Sequence, residues 1–384
     1  MKIKEMSEVL NGYAFKSSNY INEGYRVIRI TNVQSGYIED EKPVYYEFDN
    51  KLEKYKLKEN DLLISLTGNV GRCALVTKDF LPAYLNQRVC CLRINKEKVI
   101  PKFLYYILNS KKFEFDCINS SQGIAQLNMS TEWLKEYNLE IPAIELQKKI
   151  INIFDKVYNN INIKKNQINS CNNLIKSQFV EMFGDFNNSK YKKTKLDKIA
   201  NIGSSHRVFT NEFVDNGIPF YRGTEITMLA NGVKPKECFY ISKEHYEKIC
   251  SDKTKPKIND LLMPSICDKG QIWLVNTDEP FYYKDGRVLS ISLKTSNINP
   301  KYLHYYMKNK TIEEYPKLGS GSTFAEFKIF LLKDVDVIVP PIELQNKFAN
   351  IAEQIDKQKF VNANLLQLLG KNLKRCYNNI VDFR

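Results

Sequence analysis

An apolar stripe of coiled-coil period restricts the fold of this chain more than any other feature, and it occurs twice. Ile150, Phe154, Val157, Ile161, Ile168, Cys171, Ile175 and Met182 follow one another at alternating steps of three and four, with only Lys164 and Gln178 polar. Pro142 lies just upstream, where a chain not yet helical is expected, and Gly184 stands just past the last periodic residue as a C-cap. Ile144-Glu145-Leu146-Gln147 recurs as Ile342-Glu343-Leu344-Gln345 at an offset of 198, again just after a proline. At that offset Phe348, Ala352, Ile355, Leu366, Leu369, Leu373, Cys376 and Ile380 continue in the same register, interrupted by Lys359 and Asn362. Each of these two long helices needs an apolar partner, and the nearest partner is the other. The polar interruptions are expected to set register and orientation, or to lie where the helices diverge.

The segments around the helices also repeat. Short apolar runs at Tyr25–Ile30, Asp61–Leu66, Ala74–Val76, Arg88–Ile94 and Leu139–Ile141 read as strands, with one helix over Lys102–Phe113 after Pro101. Gly24, Arg29 and Thr31 return as Gly217, Arg222 and Thr224 at an offset of 193. Asp61, Gly71, Arg88 and Pro101 return as Asp260, Gly270, Arg287 and Pro300 at 199. So small a drift means the same elements in the same order, with length changes confined to loops. The expected class is α+β: two similar, mixed but β-rich domains separated by two long antiparallel helices forming a coiled coil. The expected boundaries are 1–142 for the first domain, 143–184 for its helix, 185–340 for the second domain and 341–384 for the closing helix.

A formal net charge of +13 points to a polyanion, most simply nucleic acid. No run is long and apolar enough to cross a membrane, and the nine cysteines contain no CxxC pair. A cytoplasmic protein with reduced thiols and no metal is expected. No phosphate-binding GxxxxGK[ST] loop, HExxH or G-x-S-x-G is present, and His206, His245 and His304 stand at unrelated spacings. The Val339-Pro340-Pro341-Ile342 run lacks the leading Asp or Asn and the aromatic of an amino-methyltransferase motif. The chain reads as a binder that carries no catalytic residues and no cofactor.

The candidate DNA contacts lie in the loops, where the copies differ. Arg29, Thr31, Asn32 and Gln34 in the first copy, and Arg222, Thr224 and Glu225 in the second, carry donors and acceptors that suit base edges. Gly71 with Arg72, and Gly270 with Gln271, suggest tight turns with close backbone approach to phosphate. Ser120–Gly123, including Gln122, and Gly319–Thr323, including Ser322 and Thr323, suggest phosphate cradles. Lys16, Asn69, Asn86, Gln87, Ser205, His206, Arg207, Asp268, Lys269 and Lys284 complete the set. For each loop the plainer alternative is an ordinary polar turn.

Two variable domains alternating with two long helices, the Pro then Ile-Glu-Leu-Gln starts and the Met182-Phe183-Gly184-Asp185 close resemble the specificity subunit of type I restriction-modification systems. That resemblance implies two target-recognition domains on a helical stem reading a bipartite, asymmetric stretch of double-stranded DNA. It also implies partners: DNA methyltransferase subunits, which would bring S-adenosylmethionine, and a motor-nuclease subunit. A helix of about 39 residues is ~58 Å long, more than the ~34 Å of one DNA turn. The second copy departs by carrying Asp285-Gly286 where Asn86-Gln87 stands. An architectural or regulatory DNA-binding protein that self-associates through its coiled coil is the alternative.

Overall fold

The computed structural model describes residues 1–121, 127–185, 189–251, 254–318 and 325–381, without the side chains of 378–381. Gln122, Ser322 and Thr323, and most of the two expected phosphate cradles, lie outside the described residues. Two units share the chain, each considered by itself: Met1–Gln167 with Asn362–Arg384, and Ile168–Val361.

In the first unit an antiparallel sheet orders its strands Ser7–Asn11, Val89–Ile94, Leu62–Ser65 and Cys73–Leu75. Alternate residues of these runs face opposite sides. Leu62, Ile64, Cys90 and Leu92 face a core that includes Phe103, Phe113 and Phe154. Leu63, Cys91 and Val89 face another with Ile28 and Leu85. Burial on both faces is why the strands read as continuous apolar runs rather than alternating ones. A second sheet orders Tyr45–Tyr46, Tyr25–Ile28 and Ala83–Leu85, the last two running parallel.

The second unit repeats the plan. Its main sheet orders Ala200–Gly203, Val288–Leu293, Leu261–Pro264 and Trp273–Leu274. Its smaller sheet orders Phe213–Val214, Phe239–Ile241, Ile218–Tyr221 and Tyr282–Tyr283, again with a parallel pair. The turn into the central strand is the same in detail: Asn60 and Asn259 both have φ of 73°, and Asp61 and Asp260 each accept a backbone N–H three residues upstream at 2.8 Å.

Two local expectations fail. The helix expected over Lys102–Phe113 is two helices, Pro101–Leu108 and Lys111–Ser120, because the Ser110 hydroxyl accepts from Phe113 N and starts a new helix. Its counterpart Pro300–Glu314 runs unbroken. Leu139–Ile141 forms no strand; the neighbouring Asn138 makes an isolated bridge to Lys2. Asp336–Ile338, the corresponding segment, does form one, against Lys193–Lys195.

The long helices span Ile144–Phe183 and Ile342–Val381, and Gly184 closes the first with φ of 79°. In the first unit Ile150 and Phe154 are buried, and Val157, Ile161, Leu366, Leu369 and Leu373 are half-buried. There Phe154 meets Tyr377 at 4.8 Å between ring centres, and Lys164 Nζ donates to Asn362 Oδ1 at 3.3 Å. In the second unit Ile175 and Phe348 are buried, and Ile168 and Ile355 half-buried. There Lys359 Nζ donates to Asn172 Oδ1 at 2.7 Å, and Phe183 meets Phe348 at 5.5 Å. In both units the partner's number falls as the first helix's number rises, so the helices pair antiparallel. Among the described residues no helix is long and apolar enough to cross a membrane.

The twin Gln147 and Gln345 fasten each helix start to its own unit. Gln147 accepts from Ile100 N at 2.9 Å and donates to Pro142 O at 2.8 Å. Gln345 accepts from Asn299 N at 2.9 Å and donates to Pro340 O at 2.8 Å and Asn297 O at 3.1 Å. Both amides are fully buried. A glutamine in that place satisfies one backbone donor and one or more carbonyls beside the helix start, which an apolar residue could not.

Candidate nucleic-acid interface

In each unit the parallel pair of strands directs two chain turns to the same edge. In the second unit Tyr221 leads into Arg222 and Tyr283 into Lys284, joined by Lys284 N donating to Tyr221 O at 2.9 Å. The turn after Ala200–Gly203 arrives beside them, since Ser204 Oγ accepts from Gly286 N at 2.8 Å. Arg222, Lys284, Ser205, His206 and Arg207 are therefore brought together.

Arg222 caps the helix Gly223–Ala230, and its own backbone N–H donates to Glu225 Oε2 at 2.8 Å. Its guanidinium grips the same carboxylate twice, Nε to Oε2 at 3.1 Å and Nη2 to Oε1 at 2.7 Å, and lies over the Phe239 ring at 4.7 Å. Burial alone would raise the Glu225 carboxyl. The Arg222 hydrogen bonds prevail and hold it below the usual carboxylate range. Arg207 and Lys284 both pair with Asp285, at 3.2 Å each. His206 and Thr224 are exposed.

In the first unit Arg29 and Asn86 occupy the matching strand ends, joined by Asn86 N donating to Ile28 O at 3.2 Å. Arg29 is turned back on the fold, its Nη2 donating to Lys42 O at 3.1 Å. Lys16, Thr31 and Gln87 are exposed beside this edge. Phe15 is buried against Tyr46 and Tyr84, while Tyr13 keeps an exposed edge.

Several readings drawn from the loops are corrected. Asn32 is buried, accepting from Arg29 N at 2.9 Å and donating to Glu39 O at 2.7 Å, so its amide is consumed by the fold. Asn86 is buried as well, its main chain bridged to Tyr13. Ser205 donates its hydroxyl inward to Tyr283 O. Glu225, 3% exposed, serves Arg222 and not a base. Gln34 is taken at both ends, donating to Thr31 O at 2.8 Å and accepting from Arg72 Nη1. Gln271 folds onto its own turn, donating to Asp268 at 2.6 Å and accepting from Lys269 N at 3.0 Å. Lys269 and Asn69 expose their side chains.

Gly71 and Gly270 are buried and serve packing, not phosphate. A Cβ at Gly71 would lie 2.7 Å from Cys117, and one at Gly270 2.6 Å from Lys308 O. The Phe239 platform and the Asp285 pairings had no sequence signal. Glu three residues after Arg did carry one, since that spacing at a helix start is half of a capping box.

Residues 1–173 match the type I restriction modification DNA specificity domain. Over 99% of its length the chain is 23% identical to the EcoBI specificity subunit of Escherichia coli, covering 83% of that protein. By these matches the chain is similar to the specificity subunits of type I restriction-modification systems. The MjaVIII specificity subunit of Methanocaldococcus jannaschii is 29% identical over 44% of this chain and 41% of that relative. The S subunit of M. genitalium shares the fold of this chain, with a TM-score of 0.59 at 17% identity over 100% of this chain and 96% of that one. The alternative of a self-associating architectural DNA-binding protein is not supported.

Proposed function

We propose that this chain is a type I specificity subunit, the non-catalytic reader of a bipartite, asymmetric sequence in double-stranded DNA, each unit reading one block. Its helical stem would dock DNA methyltransferase subunits, which carry the S-adenosylmethionine, and a motor-nuclease subunit would join the larger assembly in the cytoplasm. The observation that carries this reading is one strand plan bearing two unlike reading edges: Arg222 with Glu225 and Phe239 in one copy, Arg29 with Asn32 in the other. A common scaffold with dissimilar edges suits two different half-sites.

Each long helix has 40 residues, about 60 Å of rod. The number of unread base pairs between the blocks would follow that length. Mapping methylated adenines with and without this chain tests the reading: a two-block motif should vanish when the chain is deleted. Removing one heptad, residues 161–167, together with its antiparallel partner heptad should change the spacer or abolish methylation. Full activity at an unchanged spacer refutes the ruler.

A further inference from the structure

Arg222 differs from a free surface arginine in how its donors are shared out. Glu225 takes Nε and one face of Nη2, both on the inner side of the guanidinium. The opposite edge, formed by Nη1 and the second Nη2 hydrogen, has no protein acceptor among the described residues, and the side chain is 47% exposed. Phe239 backs the guanidinium plane at 4.7 Å and is itself stacked on Phe213 at 4.7 Å. The plane is thus fixed by a carboxylate at its side and a ring at its face. What is left outward is a fork of two parallel N–H donors, which matches the O6 and N7 acceptors of guanine in the major groove.

Because the Glu225 carboxylate neutralises the guanidinium, the pair has little long-range pull on phosphate. Its contribution is directional, so it belongs with base reading rather than backbone positioning. Arg29, at the same place in the other unit, is held differently: Asn32 binds its backbone N–H, and Nη2 is spent on Lys42 O.

We infer that Glu225 is a positioning residue that aims the outer edge of Arg222 at one guanine in the block read by the second unit, with Phe239 as its backing. This rests on the proposed function and adds the base and the residues that select it.

The test uses the subunit assembled with its methyltransferase partner and a duplex panel varied one base pair at a time around the methylated motif. Arg222→Ala and Glu225→Gln should each lower discrimination at the same single guanine by about tenfold or more. They should leave every position of the other block unchanged, and the double variant should be no worse than Arg222→Ala. Glu225→Gln keeps an acceptor for Arg222 N, so the helix cap survives while the guanidinium loses its two-pronged partner. Independently of any variant, 7-deazaguanine at that position, which removes N7 alone, should weaken the wild-type complex by about fivefold. The slope of affinity against salt should not change in Arg222→Ala, whereas loss of a phosphate contact would reduce it by about one. Full discrimination in Glu225→Gln overturns the positioning role. Uniform weakening across all sequences in Arg222→Ala, or indifference to 7-deazaguanine, overturns the guanine reading. A two-block motif that persists in those cases leaves the proposed function standing, and absence of any such motif removes both.

Discussion

Replacing Gln147 by Leu tests what holds the first long helix to its unit. The substitution keeps the volume and the buried position but strands the Ile100 N–H, now 2.9 Å from Oε1, and the Pro142 carbonyl, now 2.8 Å from Nε2. Each of the two stranded groups costs about 1–3 kcal/mol, and the added apolar burial returns about 1 kcal/mol, for a net loss of roughly 1–5 kcal/mol. For a unit of this size each kcal/mol shifts Tm by about 2–4 °C, so a drop of about 2–20 °C is expected in calorimetry. Gln345→Leu should do at least as much in the other unit, because its third bond, to Asn297 O at 3.1 Å, is shorter than the matching one from Gln147 to Lys98 O at 3.5 Å. Gln147→Glu adds a sharper test. It keeps the acceptor for Ile100 N but sets a carboxylate against the Pro142 carbonyl, so it should be worse than wild type at neutral pH and recover on acidification. A Tm drop under about 2 °C for both leucine variants would mean that the freed groups find water. The clamp would then not be what docks the helices.

Three further perturbations separate packing from reading. Asp61 is gripped by Arg93, Nε at 3.1 Å and Nη2 at 2.8 Å, whereas Asp260 faces Ser292, and burial raises its carboxyl above the usual range. An acid raised in the fold contributes stability that is fully present below its unfolded pKa and lost as pH rises through the folded value. Ser292→Arg, beside a cleft of about 960 Å³, should rebuild the pair, add about 1–3 kcal/mol at pH 7 and abolish that loss in a Tm-versus-pH series. Gly71→Ala joins a φ of 78° to a Cβ 2.7 Å from Cys117, so denaturant unfolding should show a loss of roughly 2–4 kcal/mol with DNA affinity per folded molecule unchanged. Asn362→Leu removes a buried polar group that Lys164 holds at 3.3 Å, so Tm should rise by a few degrees while light scattering reports new self-association.

The features that were legible in the sequence share one property: they are decided by neighbours along the chain. The three-four stripe, Pro101 and Pro300 opening helices, and Gly184 in a left-handed cap depend on residues within a turn or two. The duplication was legible because the two copies obey the same local rules in the same order. What was not legible depends on which polar groups meet across the fold. Gln147 and Gln345 were visible only as parts of a repeated tetrapeptide, since their partners lie 47 and 46 residues away. Leu139–Ile141 has the composition of a strand but not the partner that Asp336–Ile338 finds in Lys193–Lys195.

The same distinction explains why the candidate contacts were the least legible part. Asn32, Asn86 and Glu225 carry groups that suit base edges, but a group that suits a base edge also suits a buried backbone amide or guanidinium, and composition does not separate the two. Comparing the copies does. At the strand end after the parallel pair, Glu225 stands where Asn32 stands in the other unit; in the main sheet, Ser292 stands where Arg93 does. The first exchange leaves the helix start capped in both units and changes only what the neighbouring arginine can present, whereas the second leaves the outer edge untouched and changes how a buried carboxylate is neutralised. A difference between copies that conserves the local hydrogen-bond plan while altering an exposed donor is therefore the kind that changes what is read. One that alters a buried pair is the kind that changes stability alone, and Glu225→Gln beside Ser292→Arg sets those two consequences apart within one unit.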